Sequence, residues 1–133
     1  LQPNTGERLV REWLAERDWV LAAETLLEED GICYEVLAAD RADSPADASE
    51  RNRTLYSPPP DSPVTRSALL AMGPYLIREA GPLFFAKWEG RLAKLESLLA
   101  NIARSAHPDA VRKHQELMKE RNEIREVLSW LSK

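Results

Sequence analysis

The chain of 133 residues, 44% hydrophobic and 30% charged with a net charge of −4, has the size and composition of one compact domain, or of a domain with an appended module. Its longest apolar runs, such as Pro82 to Ala86, are too short to span a bilayer, and a single cysteine, Cys33, excludes an internal disulfide and a cysteine-built zinc site. The lone cysteine and the lack of a basic, apolar, cleavable start point to a reducing compartment, cytoplasm or nucleus, and the opening Leu1 points to a processed or excised fragment.

Charge is uneven along the chain. Residues 1 to 30 carry three Arg against eight acids, whereas residues 67 to 133 carry eleven Lys and Arg against eight acids. The basic excess is diluted over helices of mixed sign, so a nucleic-acid partner is unlikely on charge alone.

Asn4-Thr5-Gly6-Glu7 reads as a helix start, with Glu7 three positions after the cap. Leu9, Val10, Trp13 and Leu14 recur at helical spacing, Glu16-Arg17-Asp18 interrupts them, and Trp19, Ala22, Ala23, Leu26 and Leu27 resume. Two short helices are expected, the second capped by Asp18 and closed by Gly31. Ile32, Tyr34, Val36 and Ala38 alternate like a strand, yet the Ala-rich end also suits a helix; the reading leans to a helical extension.

From Arg41 to Pro63 the chain is dominated by Asp, Ser, Asn and Pro, with Pro58 to Pro60 consecutive, and reads as a linker. Ser44, Ser57 and Ser62 each precede a proline and have the form of proline-directed phosphorylation sites, although the reading leans to a solvated linker whose serines do nothing. Beyond it, Gly73-Pro74 and Gly81-Pro82 read as corners that end one helix and open the next. Phe85, Trp88, Leu92, Leu95, Leu99 and Ile102 follow at alternating steps of three and four, the seam of a helix packed lengthwise. After a break at Ser105 to Asp109, a last helix carries Val111, Leu117, Met118, Ile124, Val127, Leu128, Trp130 and Leu131. The two long helices are expected to form an antiparallel hairpin whose remaining apolar surface needs the short helices or a second chain.

The stretch Leu9 to Glu29, with Val10, Trp13, Leu14, Trp19, Ala23, Leu26 and Glu28 or Glu29 in order, resembles the LisH family of short dimerisation motifs. The resemblance implies a two-helix unit that pairs with a second copy, with Trp13, Leu14, Trp19, Ala23 and Leu26 at the interface. Helices of about ten residues are marginal alone in water, so these side chains must be buried against a second copy or against this chain's own hairpin. An alternative makes Leu9 to Glu29 a helix-turn-helix with a wing formed by Ile32 to Leu37 and Arg53 to Tyr56, but Glu24, Glu28, Glu29 and Asp30 would then face phosphates.

Catalytic signals are absent. His107 and His114 have no metal-ligand spacing, Cys33 has no flanking base, and the five glycines are scattered rather than set in a phosphate loop. The resulting expectation is all-α: a LisH-like helical hairpin over residues 4–40, a Pro/Ser-rich flexible linker over 41–63, and a helical bundle with a long antiparallel hairpin over 64–133. Its function would be non-catalytic protein–protein interaction and self-association, a scaffold or adaptor without cofactor or metal; the alternative is a winged-helix DNA-binding regulator. Partners would be a second copy and a helical segment of another protein, the latter packing on Trp88, Leu92, Leu95, Leu99, Ile124 and Leu128.

Overall fold

The computed structural model describes residues 7–105 and 107–133. The helix start read at Asn4 to Gly6 therefore lies outside the described residues. Helix α1 (Glu7–Glu16) ends where Asp18 turns the chain at φ 64, and the next element is a strand. Strands β1 (Trp19–Glu29) and β2 (Ile32–Arg41) pair antiparallel around Asp30-Gly31, both at positive φ. The fold is therefore α/β and not all-α, and the second half of the expected helical hairpin does not exist.

A β-bulge is the physical reason. The pairing passes from Leu21↔Ala39 to Ala23↔Ala38, leaving Ala22 unpaired, so that Leu21, Glu24 and Leu26 face inward at spacings of three and two. That phase slip turns an alternating strand pattern into one that imitates helical spacing. β2 has no bulge, and its alternation is that of a strand: Cys33, Glu35, Leu37 and Ala39 are half-buried, while Ile32, Tyr34, Val36 and Ala38 are exposed.

Helix α2 (Pro45–Leu55) occupies half of the stretch read as a linker. Ser44 Oγ caps it by accepting from the Asp47 amide at 3.0 Å, Pro45 sits in its first turn, and Ala48, Asn52 and Leu55 are buried. Asn52 Nδ2 donates to the Trp19 carbonyl at 3.1 Å, tying α2 to the start of β1. Only Ala48 and Leu55 are apolar among the buried residues of this helix, so composition hides it.

The remaining helices are α3 (Arg66–Met72), α4 (Pro74–Glu79), α5 (Pro82–Ile102) and α6 (Pro108–Leu131). α5 and α6 run antiparallel, with Arg91 on Glu120 at 2.7 Å and Arg121 on Glu96 at 3.4 Å along their seam. One contiguous core runs from Val20 and Leu21 on β1 through Leu55, Tyr56, Leu69 and Ile77 to Trp88, Leu95, Ile124 and Leu128. No described helix is long and apolar enough to cross a membrane.

Candidate functional site

The most organised polar structure lies where the sheet meets the helices. Arg11, on the inner face of α1, is fully buried, and each arm of its guanidinium is engaged. Nε donates to Glu24 Oε2 at 2.7 Å, Nη1 to the carbonyls of Leu70 at 3.0 Å and Ala71 at 3.3 Å, and Nη2 to Glu35. The two carbonyls belong to the last turn of α3, where a cation complements both the unpaired acceptors and the helix dipole.

Glu24 does the converse for α4. Its Oε1 accepts from the amides of Tyr75 at 2.8 Å and Leu76 at 3.3 Å, the first turn of a helix whose N-cap, Gly73, has no side chain to offer. Burial pushes the Glu24 carboxyl up, and Arg11 with the two amides opposes that push. Because both oxygens only accept, Glu24 is ionised in this arrangement. Burial alone would lower the Arg11 guanidinium, but Glu35 and Glu24 hold it above its ordinary value.

Gly73 sits at φ 102 between the two helices, and a Cβ there would lie 2.8 Å from Arg11 Nη2 and from both Glu24 oxygens. Beside it, Tyr75 donates from its hydroxyl to the Leu21 carbonyl at 2.9 Å, next to the bulge. Glu35 also receives Lys87 from α5, which reaches Glu7 Oε1 at 3.3 Å. Two cations and three carboxylates thus join α1, both strands and α5 at one junction. Beside that junction, with Glu7 and Lys87 in its wall, α1, α3, α5 and α6 line a cavity of about 410 Å³.

The residues singled out from sequence are dispersed by this architecture. Trp13 stands 48% exposed on α1 with the Arg17 guanidinium 5.1 Å from its ring centre, and Leu14 is half-buried against the core. Trp19 opens β1, Ala23 lies on the outer sheet face and Leu26 on the inner one. No single face unites the five. Trp88, Leu95, Leu99, Ile124 and Leu128 are buried in this chain's own core, with Leu92 packed at its margin. Of the serines, Ser44 is the α2 cap, Ser57 is exposed, and Ser62 donates to the Pro59 carbonyl at 2.8 Å. Among the described residues no His, Cys, Asp and Glu cluster could hold a metal ion. Sequence reasoning read Gly73 only as a helix corner and Glu24 as exposed, and did not single out Arg11 or Glu35; the bulge in β1 is what turns Glu24 inward.

Comparison with known proteins gives a consistent result. The family model TrmK, tRNA (adenine(22)-N(1))-methyltransferase, matches residues 1–129. The tRNA (adenine(22)-N(1))-methyltransferase of Bacillus subtilis (strain 168) is 32% identical over 124 residues, 93% of this chain and 47% of that protein. The crystal structure of the B. subtilis m1A22 tRNA methyltransferase TrmK superposes with a TM-score of 0.73 at 29% identity, covering 90% of this chain and 46% of that one. Streptococcus pneumoniae Sp1610 in complex with S-adenosyl-L-methionine gives 0.64 at 26% identity, over 95% of this chain and 44% of that one. A protein in the NADB-Rossmann superfamily from Streptococcus agalactiae gives 0.68 at 25%, over 95% and 45%. The chain spans about half the length of the relatives it matches.

These matches overturn the resemblance to LisH, in which the segment after Asp18 would have to be a helix; it is β1. They equally overturn the scaffold or adaptor reading with its homodimer and partner helix, the winged-helix alternative, and the exclusion of an enzyme and of nucleic acid. The charge argument counted Glu24 among the surface acids, whereas it is spent on Arg11 inside the fold.

Proposed function

This chain belongs to the TrmK family, the tRNA (adenine(22)-N(1))-methyltransferases, and from that membership we propose that the protein methylates N1 of an adenine in tRNA. Within such an enzyme this chain supplies the end of the catalytic sheet and the helical hairpin that meets the RNA. The observation that supports this division of labour is the outer face of the β1–β2 hairpin. Leu27, Ile32, Tyr34 and Val36 are between 43% and 49% exposed there, flanked by the small residues Ala23 and Ala38. A two-stranded sheet with one bare apolar face and a ten-residue edge is marginal by itself and invites further pairing. The other half of a relative-length protein, a Rossmann-like sheet with helices on both faces, provides the missing layer.

The methyl donor of this reaction is S-adenosyl-L-methionine, the molecule present in the S. pneumoniae structure. The residues described here do not fit it. Among the described residues the sheet has no parallel strand-to-helix crossover with a glycine-lined turn, and the one tightly packed glycine, Gly73, has its space filled by Arg11 and Glu24. No step of the transfer is therefore assigned to these side chains. The protein works in the cytoplasm, where tRNA is modified.

The test is methyl transfer from S-adenosyl-L-methionine carrying a labelled methyl group to unmodified tRNA, followed by primer extension. A methyl on N1 blocks the pairing edge of adenine, so reverse transcription should stop one nucleotide before position 22. Label in tRNA with a stop elsewhere would correct the site, and no incorporation would sink the reading.

A further inference from the structure

We propose that Lys87 is a positioning residue for the tRNA reaction: its bridge from α5 to Glu35 on β2 and Glu7 on α1 sets the angle at which the α5–α6 hairpin holds RNA over the catalytic sheet. That role rests on the tRNA reading and deepens it. Lys87 lies in the second turn of α5 with its side chain 10% exposed, and its ammonium meets both carboxylates, the Trp88 ring centre being 5.1 Å away. The other ion pairs of the hairpin among the described residues stay inside it, as Arg91 with Glu120 and Arg121 with Glu96 do. Lys87 thus makes the one ionic tie between the hairpin and the rest of the described fold.

The physics of that tie favours orientation over stability. Phe84 and Trp88 already bury the root of α5 in the core, and burial of apolar surface is non-directional. A buried ion pair adds little net stability, because desolvation offsets the attraction; what it fixes is where its charges stand. Glu35 is held in turn by Arg11, so the ammonium is anchored to a frame that spans both strands, α1 and the α3–α4 corner. The tie also stands at the reaction end of the sheet. Arg11 meets Glu24, whereas Glu7, one turn earlier on α1, shares Lys87 with Glu35, which pairs with Leu26 farther along β1. α1 therefore runs antiparallel to β1, and its first turn lies toward the end where β1 finishes. In a Rossmann-like sheet the substrates lie outside the carboxyl ends of the strands. From there α5 continues to Ile102, about 22 Å beyond Lys87 at roughly 1.5 Å per residue, so a tilt of about 5° at the root moves the far end by about 2 Å. A misplacement of about 1 Å is enough to cost about 10²-fold in rate.

The test uses the full-length protein. Lys87→Met keeps the stem and removes the charge, leaving Glu35 paired with Arg11, and Lys87→Arg keeps the charge. In Lys87→Met, kcat for tRNA methylation should fall about tenfold or more, while the affinities for tRNA and for S-adenosyl-L-methionine stay within about twofold of the wild type, and Lys87→Arg should recover most of the rate. Glu7→Gln, at the less buried carboxylate, should lower kcat in the same direction and add little to Lys87→Met. Spin labels at Ala46→Cys on α2 and Ala103→Cys at the end of α5, both exposed and with native cysteines replaced by Ser, read the angle itself. The wild type should give one narrow distance and Lys87→Met a broader or shifted distribution. An unchanged distribution, or an unchanged kcat, overturns the inference. A loss of rate matched by a loss of S-adenosyl-L-methionine sites would make Lys87 merely structural and overturns it too. If the wild type methylates no tRNA, the proposed function falls whatever the distances show; if it does and the distances are unchanged, only the role of Lys87 falls.

Discussion

Gly73 stands where no side chain can. Its φ of 102 is unfavourable for an L residue, and an added Cβ would press to 2.8 Å on Arg11 and Glu24, whose pairing spans the buried junction. Gly31, at φ 78 in the hairpin turn, has the same backbone restriction but nothing within 4 Å. Gly73→Ala should therefore cost about 3 kcal/mol or more, because it opens a buried ion pair, and Gly31→Ala about 1 kcal/mol. Urea midpoints of the two variants decide; equal losses would show that only backbone strain matters. Tyr56 offers a test by pH. It is 3% exposed, and burial pushes its phenol up to about 12 from an ordinary 10.0. A group whose folded value is raised contributes stability that is complete below its unfolded value and is lost as pH rises through the folded one. The protein should thus lose about 2 kcal/mol between pH 9 and pH 12 from this residue, and Tyr56→Phe should remove that part of the slope. An unchanged slope in the variant would mean that the phenol ionises freely.

At the scale of elements, the register of β1 decides what its residues do. The bulge at Ala22 brings Glu24 inward, and only there can its carboxylate cap α4 while Arg11 closes α3. Two helices with a single glycine between them are held end to end by side chains from elsewhere in the chain, so α1, β1 and the α3–α4 corner fold as one unit. The α5–α6 hairpin is held differently, by apolar packing along its seam. Leu95 is completely buried at that seam, whereas Leu92 is only partly covered. Leu95→Ala should cost about 2–5 kcal/mol and Leu92→Ala distinctly less, measured by denaturant unfolding. Comparable losses would place Leu92 under cover that the described residues do not provide.

At the scale of the whole molecule, the outer face of the hairpin connects fold to function. Val36 is 49% exposed in this chain. Val36→Thr keeps its shape and its preference for strand, so at a true surface it should change stability by no more than about 0.5 kcal/mol. Under a second layer supplied by the rest of the enzyme, it should cost about 1–2 kcal/mol, read as a lower thermal midpoint of the full-length protein. Local periodicity determined the long helices by itself, since the three-and-four spacing from Phe85 to Ile102 needs no partner to be read, and the Gly-Pro pairs at 73–74 and 81–82 mark the corners in the same way. The alternation of Ile32, Tyr34, Val36 and Ala38 carried a strand that was legible but outweighed by the helical spacing of its neighbour. What only the tertiary structure decided is everything that depends on pairing between distant segments: β1 as a strand, because a bulge mimics helical spacing until β2 is set beside it; α2 as a packed helix, because only Ala48 and Leu55 of its buried residues are apolar; and the Arg11, Glu24, Glu35 and Lys87 junction, because a charge is recognisable as buried only once the groups that neutralise it, 13 to 52 residues away, are in place.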